Sequence, residues 1–104
     1  MLESRKVKTI PDAKALVDAS GVYICPNSAT AVAGFLKARA ASLIGADERV
    51  VVVATAHGCK FSQTTIDYHT GRLPGITPHR ANRVIELVAD AGAVERALVA
   101  EEVR

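Results

Sequence analysis

The 104-residue sequence is poor in aromatic residues and cysteine and has no large excess of either charge. Aromatic residues make up 4% and tryptophan is absent, so small aliphatic side chains must build the core of a chain that is 49% hydrophobic. The net charge is +2, from 13 basic and 11 acidic residues, which gives no field to attract nucleic acid or a membrane surface. The length and composition predict one globular domain over residues 1–104.

Long apolar runs and paired cysteines are also missing. No run approaches the roughly 20 residues that cross a bilayer, and "MLESRKVKTIPD" has no signal-like stretch, so we expect a cytoplasmic protein. Cys25 and Cys59 form no C-x-x-C, which argues against a zinc knuckle or a disulfide framework and favours reduced thiols. The sequence also has no G-x-G-x-x-G, P-loop or G-x-S-x-G motif.

Four consecutive valines at residues 50–53 predict the clearest strand. A run that is apolar on every residue suits a strand buried on both faces, as in the interior of a parallel or mixed sheet. Further strands are predicted at "VYIC", residues 22–25, and "RVIELVAD", residues 83–90. Alternation with helices predicts an α/β fold, in which a small two-layer or three-layer sheet carries flanking helices.

Helical spacing and breaker residues predict four helices. The first runs from Pro11 to Gly21, the second from a cap at Asn27 or Ser28 to Gly45, the third from a cap at Ser62, and the last from a cap at Asp90.

A polar cluster, "TAHGCK", follows the valine strand at residues 55–60. Ligands of open α/β sheets bind beyond the carboxyl ends of strands, so the cluster is a candidate site. The Thr55 hydroxyl is neutral and both donates and accepts, which makes it a candidate partner for a heteroaromatic ring nitrogen. The alternative is a threonine that satisfies a local backbone group.

His57 and Cys59 form an H-x-C pair that would need two more ligands to hold a metal ion. Cys25, His69 and His79 have no convincing spacing for that role, so we predict no metal site and favour a surface histidine and a half-buried thiol.

Three further features favour structural roles. Lys60 would form a Schiff base only in a dry pocket; a lysine with its stem on apolar surface is the favoured interpretation. Gly58 indicates either a positive φ or a close approach of two chain segments. Asp67, Tyr68 and His69 are consecutive, and neighbours on a helix point in different directions, so they make a weak catalytic trio.

Several motifs together resemble threonine synthase, in particular the branch that includes the plant enzymes. They are Gly-x-Tyr-x-Cys-Pro at residues 21–26, the alanine-rich helix after it, Asp-Glu-Arg at residues 47–49, Thr-Ala-His-Gly-x-Lys-Phe at residues 55–61, Ile-Asp-Tyr-His at residues 66–69, and "VADAGAVERAL" at residues 88–98. The resemblance is to the carboxyl-terminal segment, in the large domain of a fold-type II pyridoxal-phosphate (PLP) enzyme.

The resemblance implies conversion of O-phospho-L-homoserine and water to L-threonine and phosphate. It implies that Thr55 faces the pyridine nitrogen of PLP. The family's Schiff-base lysine, its asparagine beneath the ring and its phosphate-binding loop lie upstream of the matched segment. Lys60 matches a downstream lysine instead, and Cys59 stands where leucine is expected. No catalytic residue is therefore expected in this chain, which should not be active alone.

We expect the chain to be either a partial domain within a longer enzyme or a piece that needs a partner, which would be an upstream polypeptide that carries the PLP lysine or a second copy of itself. Open strand edges invite pairing, so a homo-oligomer is expected. An alternative is a non-enzymatic α/β remnant that acts through association. A third hypothesis is a metal or small-molecule domain that uses His57 and Cys59.

Overall fold

A computed structural model of the chain describes residues 7–102. The helices of this part are α1 (Ile10–Asp18), α2 (Pro26–Ala40), α3 (Ser62–His69) and α4 (Ala91–Glu102), and a 3₁₀ turn (Gly58–Phe61) precedes α3. None of the helices in residues 7–102 is long and apolar enough to span a membrane. The assignment of residues 1–104 to a single domain stays a prediction.

The predicted α/β sheet is wrong. Residues 7–102 contain no β-strand, and their one β-bridge is an isolated antiparallel pair between Ile24 and His57. Residues 50–53 have no regular secondary structure and no strand partner within the described chain, and Val51 and Val53 are 88% and 71% exposed. A strand buried on both faces needs neighbours on both edges and covering layers. Residues 83–90 do not supply them, because they too form no strand and are exposed.

Local capping explains where α1 lies. The Thr9 hydroxyl accepts a hydrogen bond from the Asp12 N–H at 3.3 Å, and proline occupies the first turn, where its missing N–H costs nothing. Ala13 and Ala15 are buried, and α1 packs against α2. The first predicted helix is confirmed, although α1 ends at Asp18 and a turn continues to Gly21.

The second predicted helix is confirmed with different ends. Its N-cap is Cys25, whose sulfur accepts from the Ser28 N–H at 3.4 Å, so neither Asn27 nor Ser28 is the cap. It closes before Gly45, because Ser42 adopts the left-handed conformation at φ 61° and Leu43 N–H bonds the Ala38 carbonyl. This is the Schellman ending that glycine normally provides.

The last two helices are also present. Ser62 is the first residue of α3 and not its cap; its hydroxyl donates to the Cys59 carbonyl at 3.1 Å. Asp90 is confirmed as the cap of α4, since its carboxylate accepts from the Ala93 N–H at 2.9 Å. Side-chain oxygens at a helix start satisfy backbone N–H groups that have no helical acceptor.

A buried carboxylate joins α1 to α3 and to the loop that follows α3. Asp12 is 0% exposed and accepts hydrogen bonds from the Tyr68 hydroxyl, from the Lys8 N–H at 2.9 Å and from the His79 N–H at 3.0 Å. The His79 imidazole Nδ1 lies 3.1 Å from the second carboxylate oxygen. The Tyr68 hydroxyl in turn accepts from the Arg80 N–H at 3.1 Å.

These contacts set the protonation of both buried groups. Burial raises the pKa of the Asp12 carboxyl, but hydrogen bonds from Tyr68 and two backbone N–H groups lower it, leaving the pKa below its ordinary value. Burial, together with the hydrogen bond to Asp12, raises the pKa of Tyr68 to about 12. Asp12 therefore stays ionised and Tyr68 stays a phenol that donates to it at neutral pH.

The Asp12 carboxylate should make stability fall in acid. Since its folded-state pKa lies below the ordinary value of 3.8, its contribution is present above pH 3.8 and is lost as the pH falls through the folded pKa. Asp12→Asn should lower the free energy of unfolding at pH 7 by about 2 kcal/mol. The NH₂ group of the asparagine amide would face the N–H and O–H donors that now bond the carboxylate, and one of these bonds would be lost. The measurement is urea unfolding followed by circular dichroism between pH 7 and pH 3.

Asp67→Asn is the matched control, since that carboxylate accepts from the Gln63 amide at the surface. An Asp12→Asn chain as stable as the Asp67→Asn chain at pH 7 would contradict the assigned role.

Candidate functional site

The polar cluster at residues 55–60 is held against the segment that precedes α2. Cys25 N–H donates to the Ala56 carbonyl at 3.3 Å, and Gly58 N–H donates to the Tyr23 carbonyl at 2.9 Å. These two bonds flank the bridge between Ile24 and His57. The cluster thus lies beside the amino-terminal end of α2, although no sheet places it there.

Gly58 is required by a close approach and not by a positive φ. A Cβ at this position would lie 2.5 Å and 2.6 Å from two ring carbons of Tyr23 and 2.8 Å from the Ile24 carbonyl oxygen. Gly58 is also buried, so these neighbours have little room to move. The sequence left open a positive φ or a close approach of two chain segments at Gly58, and the structure shows the close approach.

A polar network fixes the Tyr23 ring against which Gly58 packs. The Tyr23 hydroxyl bonds the Thr65 hydroxyl at 3.0 Å, and the Lys14 ammonium lies 4.5 Å from the ring centroid. Lys14 also donates to Thr65 at 2.8 Å and to Asp18 at 2.6 Å. The second Asp18 oxygen accepts from the Ile24 N–H at 3.1 Å. Tyr23 is therefore held between α1 and α3.

This network was missed from the sequence, although one signal was visible. Lys14 and Asp18 stand four residues apart in the predicted first helix, where such a pair shares one face. The spacing does not show that Lys14 is buried or that Thr65 completes its contacts, because Thr65 is 51 residues away.

Thr55 presents its side chain to solvent. Its backbone N–H donates to the Ser28 hydroxyl oxygen at 3.3 Å, while its own hydroxyl makes no hydrogen bond with any residue in the described range. The alternative interpretation, in which the Thr55 hydroxyl bonds a nearby backbone group, therefore does not describe the structure. The hydroxyl can accept and donate to a ligand.

Ser28 and Cys25 were not predicted to contact the site. The Cys25 sulfur lies 3.3 Å from the Ser28 hydroxyl oxygen and accepts from the Ser28 N–H. Hydrogen bonds from the Ser28 hydroxyl and N–H lower the pKa of the Cys25 thiol below its ordinary value. The sequence had marked Ser28 as a possible helix cap, which signals its place in the first turn but not its contact with Thr55.

His57, Cys59 and Lys60 do not converge on one point. His57 Nδ1 accepts from the Cys59 N–H at 3.1 Å, and its ring stands edge-on to Tyr23 with centroids 5.6 Å apart. The side chains of Cys59 and Lys60 are exposed. Within residues 7–102, no group of three or more histidine, cysteine, aspartate or glutamate side chains is arranged to hold a metal ion.

Asp67, Tyr68 and His69 have different hydrogen-bond partners, although the rings of Tyr68 and His69 stand edge-on with centroids 4.9 Å apart. Their respective partners are the Gln63 amide, the Asp12 carboxylate, and the Asn82 N–H, which donates to His69 Nδ1 at 2.9 Å. Burial, helped by the nearby Lys14 charge, lowers the pKa of His69. Hydrogen bonds therefore do not join the three side chains into one group.

Gly58→Ala should destabilise the chain by about 1–3 kcal/mol, because the added methyl group must displace the Tyr23 ring or the backbone at Ile24. Gly34→Ala is the control, since a Cβ there meets nothing within 4 Å in the middle of α2 and should stabilise by about 0.5–1 kcal/mol. Thermal unfolding by circular dichroism measures both. If Gly58→Ala changed the unfolding temperature as little as Gly34→Ala does, the close approach at Gly58 would be contradicted.

Comparison with known proteins supports the resemblance seen in the motifs. The chain is 38% identical over 94 residues to the Arabidopsis thaliana protein named threonine synthase 2, chloroplastic. The match covers 90% of this chain and 18% of the relative. No protein-family model matches the chain. The recognised resemblance to threonine synthase is thus confirmed.

Proposed function

We propose that this chain is a carboxyl-terminal segment of a PLP-dependent threonine synthase and supplies one wall of the cofactor site. The reaction converts O-phospho-L-homoserine and water to L-threonine and phosphate. The observation that carries the proposal is the 38% identity to threonine synthase over 90% of the chain. The motif at residues 55–61 lies inside that similarity and contains the proposed cofactor contact, Thr55.

The surroundings of Thr55 suit one side of a flat ring. Its hydroxyl is exposed, and the adjacent Ala54 and Ala56 have small side chains that leave space beside it. Bound PLP would supply an electron sink for carbon chemistry on an amino-acid substrate. Thr55 would bond the ring nitrogen through a neutral hydroxyl, and this tunes the ring differently from a carboxylate, which would keep the nitrogen protonated.

We propose that the remaining walls of the site come from sequence beyond these residues, either in a longer form of the same chain or on a second polypeptide. By the resemblance, the residues that hold PLP covalently and cradle its phosphate lie there; the chain spans 18% of the length of the relative. The exposed segments at residues 50–53 and 84–88, which have no regular secondary structure, offer backbone groups and apolar side chains to strands of that part. The chain would have no catalytic residue of its own, and we propose that it acts in the cytoplasm.

Mixing the chain with a lysine-bearing threonine synthase polypeptide should produce the visible absorbance of bound cofactor and release phosphate from O-phospho-L-homoserine. Thr55→Val should weaken PLP binding by about 10-fold, because a hydrogen bond to the ring is lost, whereas Thr55→Ser should retain it. Absorbance titration with PLP measures both.

Thr30→Val makes the same chemical change at an exposed position on α2 and should have no effect on cofactor binding. The proposed function would be overturned if every tested partner yielded neither cofactor absorbance nor phosphate release.

A second candidate function is a non-enzymatic module that acts by association, and the exposure of Val51 and Val53 favours it. Unpaired segments with apolar side chains recruit a further strand, so the isolated chain should form a dimer. Val51→Lys should weaken dimerisation on the order of 10-fold, because a charge on an edge strand opposes pairing. Sedimentation velocity over a range of concentrations measures the change.

Leu43→Lys is the control, since Leu43 is 80% exposed but lies outside both exposed segments. A chain that remains monomeric at high concentration would exclude the self-association hypothesis.

A further inference from the structure

A short chain of hydrogen bonds connects Thr55 to the start of α2. Thr55 N–H donates to Ser28 Oγ at 3.3 Å, and Ser28 Oγ lies 3.3 Å from Cys25 Sγ. The same sulfur accepts from the Ser28 N–H at 3.4 Å. Ser28 and Cys25 are 6% and 1% exposed, so little water competes for these bonds.

The chemistry of the groups fixes the direction of the bond to Thr55. A backbone N–H only donates, so Ser28 Oγ is the acceptor from Thr55. The Ser28 hydroxyl also bonds Cys25 Sγ, where either group can donate, and this sulfur accepts from the Ser28 N–H as the helix cap. The hydroxyl of Ser28 is thus oriented by α2 and orients residue 55 in turn.

The other anchors of this stretch act beyond Thr55. Cys25 N–H holds the Ala56 carbonyl and Tyr23 holds Gly58 N–H. Residues 50–53 on the other side have no regular secondary structure and no strand partner among the described residues. Ser28 therefore provides the contact made directly to the backbone of Thr55, at the point where the chain leaves the exposed segment.

We propose that Ser28 is the positioning residue for Thr55, which sets where the Thr55 hydroxyl stands relative to its ligand. The identity of that ligand rests on the proposed function, whereas the positioning itself does not. Ser28 touches no reacting atom; it acts through the backbone of Thr55. Its helix gives it a rigid mount, because Cys25 and Pro26 fix the first turn of α2.

Amide measurements on the whole chain test the positioning without any cofactor. In Ser28→Ala, hydrogen exchange at the Thr55 amide should accelerate by about 3- to 10-fold, and its ¹H–¹⁵N resonance should move as the acceptor is lost. The Gly58 amide, bonded to Tyr23, should keep its protection. Ser28→Thr retains a hydroxyl and should restore the Thr55 signal.

Thr9→Ala is the matched control. It removes a hydroxyl acceptor from the start of α1, as Ser28→Ala does from α2, but it does not touch residue 55. It should leave the Thr55 amide unchanged. In the unaltered chain, a Thr55 amide that exchanges at the rate of an unstructured peptide would overturn the proposal even if the Ser28→Ala variant failed to fold.

The reconstituted complex gives an independent readout. Ser28→Ala should weaken PLP binding by several-fold and shift the cofactor absorbance, while Ser28→Thr should behave like the unaltered chain. A cofactor band with no response to Ser28→Ala would overturn the positioning role and leave the proposed function intact. Conversely, a Thr55 amide that responds to Ser28→Ala without any cofactor band from any partner supports the positioning and contradicts the proposed function.

Discussion

A carboxylate removed from water must be surrounded by donors, and the contacts that Asp12 collects organise this chain. They reach forward by 56 residues to Tyr68 and by 67 residues to His79. Three of the six buried hydrophobic side chains among the described residues are alanines, so the hydrogen bonds of Asp12 are an important link between α1 and α3. The position of α3 in turn determines where Thr65 meets Tyr23, and so the part of the site's support that runs through Tyr23 depends on this ionised group.

The site itself is built in layers that become less enclosed toward its surface. Lys14, Asp18 and Thr65 hold the Tyr23 ring, and Tyr23 holds Gly58 by packing and by a backbone bond. Thr55 lies outermost with an exposed hydroxyl. Such an arrangement fixes the backbone under a ligand while leaving the ligand-facing group open.

Local signals in the sequence were sufficient to predict that the four helices exist. The errors concern the ends of helices, the predicted sheet and the contacts between distant residues. Asp90 marked the start of α4 correctly and Pro11 lies one residue after the start of α1, but a cysteine cap and a serine in the left-handed conformation are uncommon choices and were overlooked. The strands failed for a different reason. The valines at residues 50–53 have the pattern of a buried strand, yet a pattern cannot supply the neighbours that make a sheet. The family resemblance could be recognised because each of its motifs is a short contiguous stretch, whereas the contact between Ser28 and Thr55 joins residues 27 positions apart.

The two free cysteines differ in solvent exposure, and this gives the chain a natural site for a fluorescent label. Cys59 is exposed in the 3₁₀ turn, four positions after Thr55, while Cys25 is shielded beneath the same stretch. A thiol-reactive fluorophore would therefore attach at Cys59 without substitution and would sit close to Thr55, where it would report the approach of any partner to that surface. Slow labelling of Cys25 on the same molecule would record how often the first turn of α2 opens, so one reagent reports both docking and local unfolding.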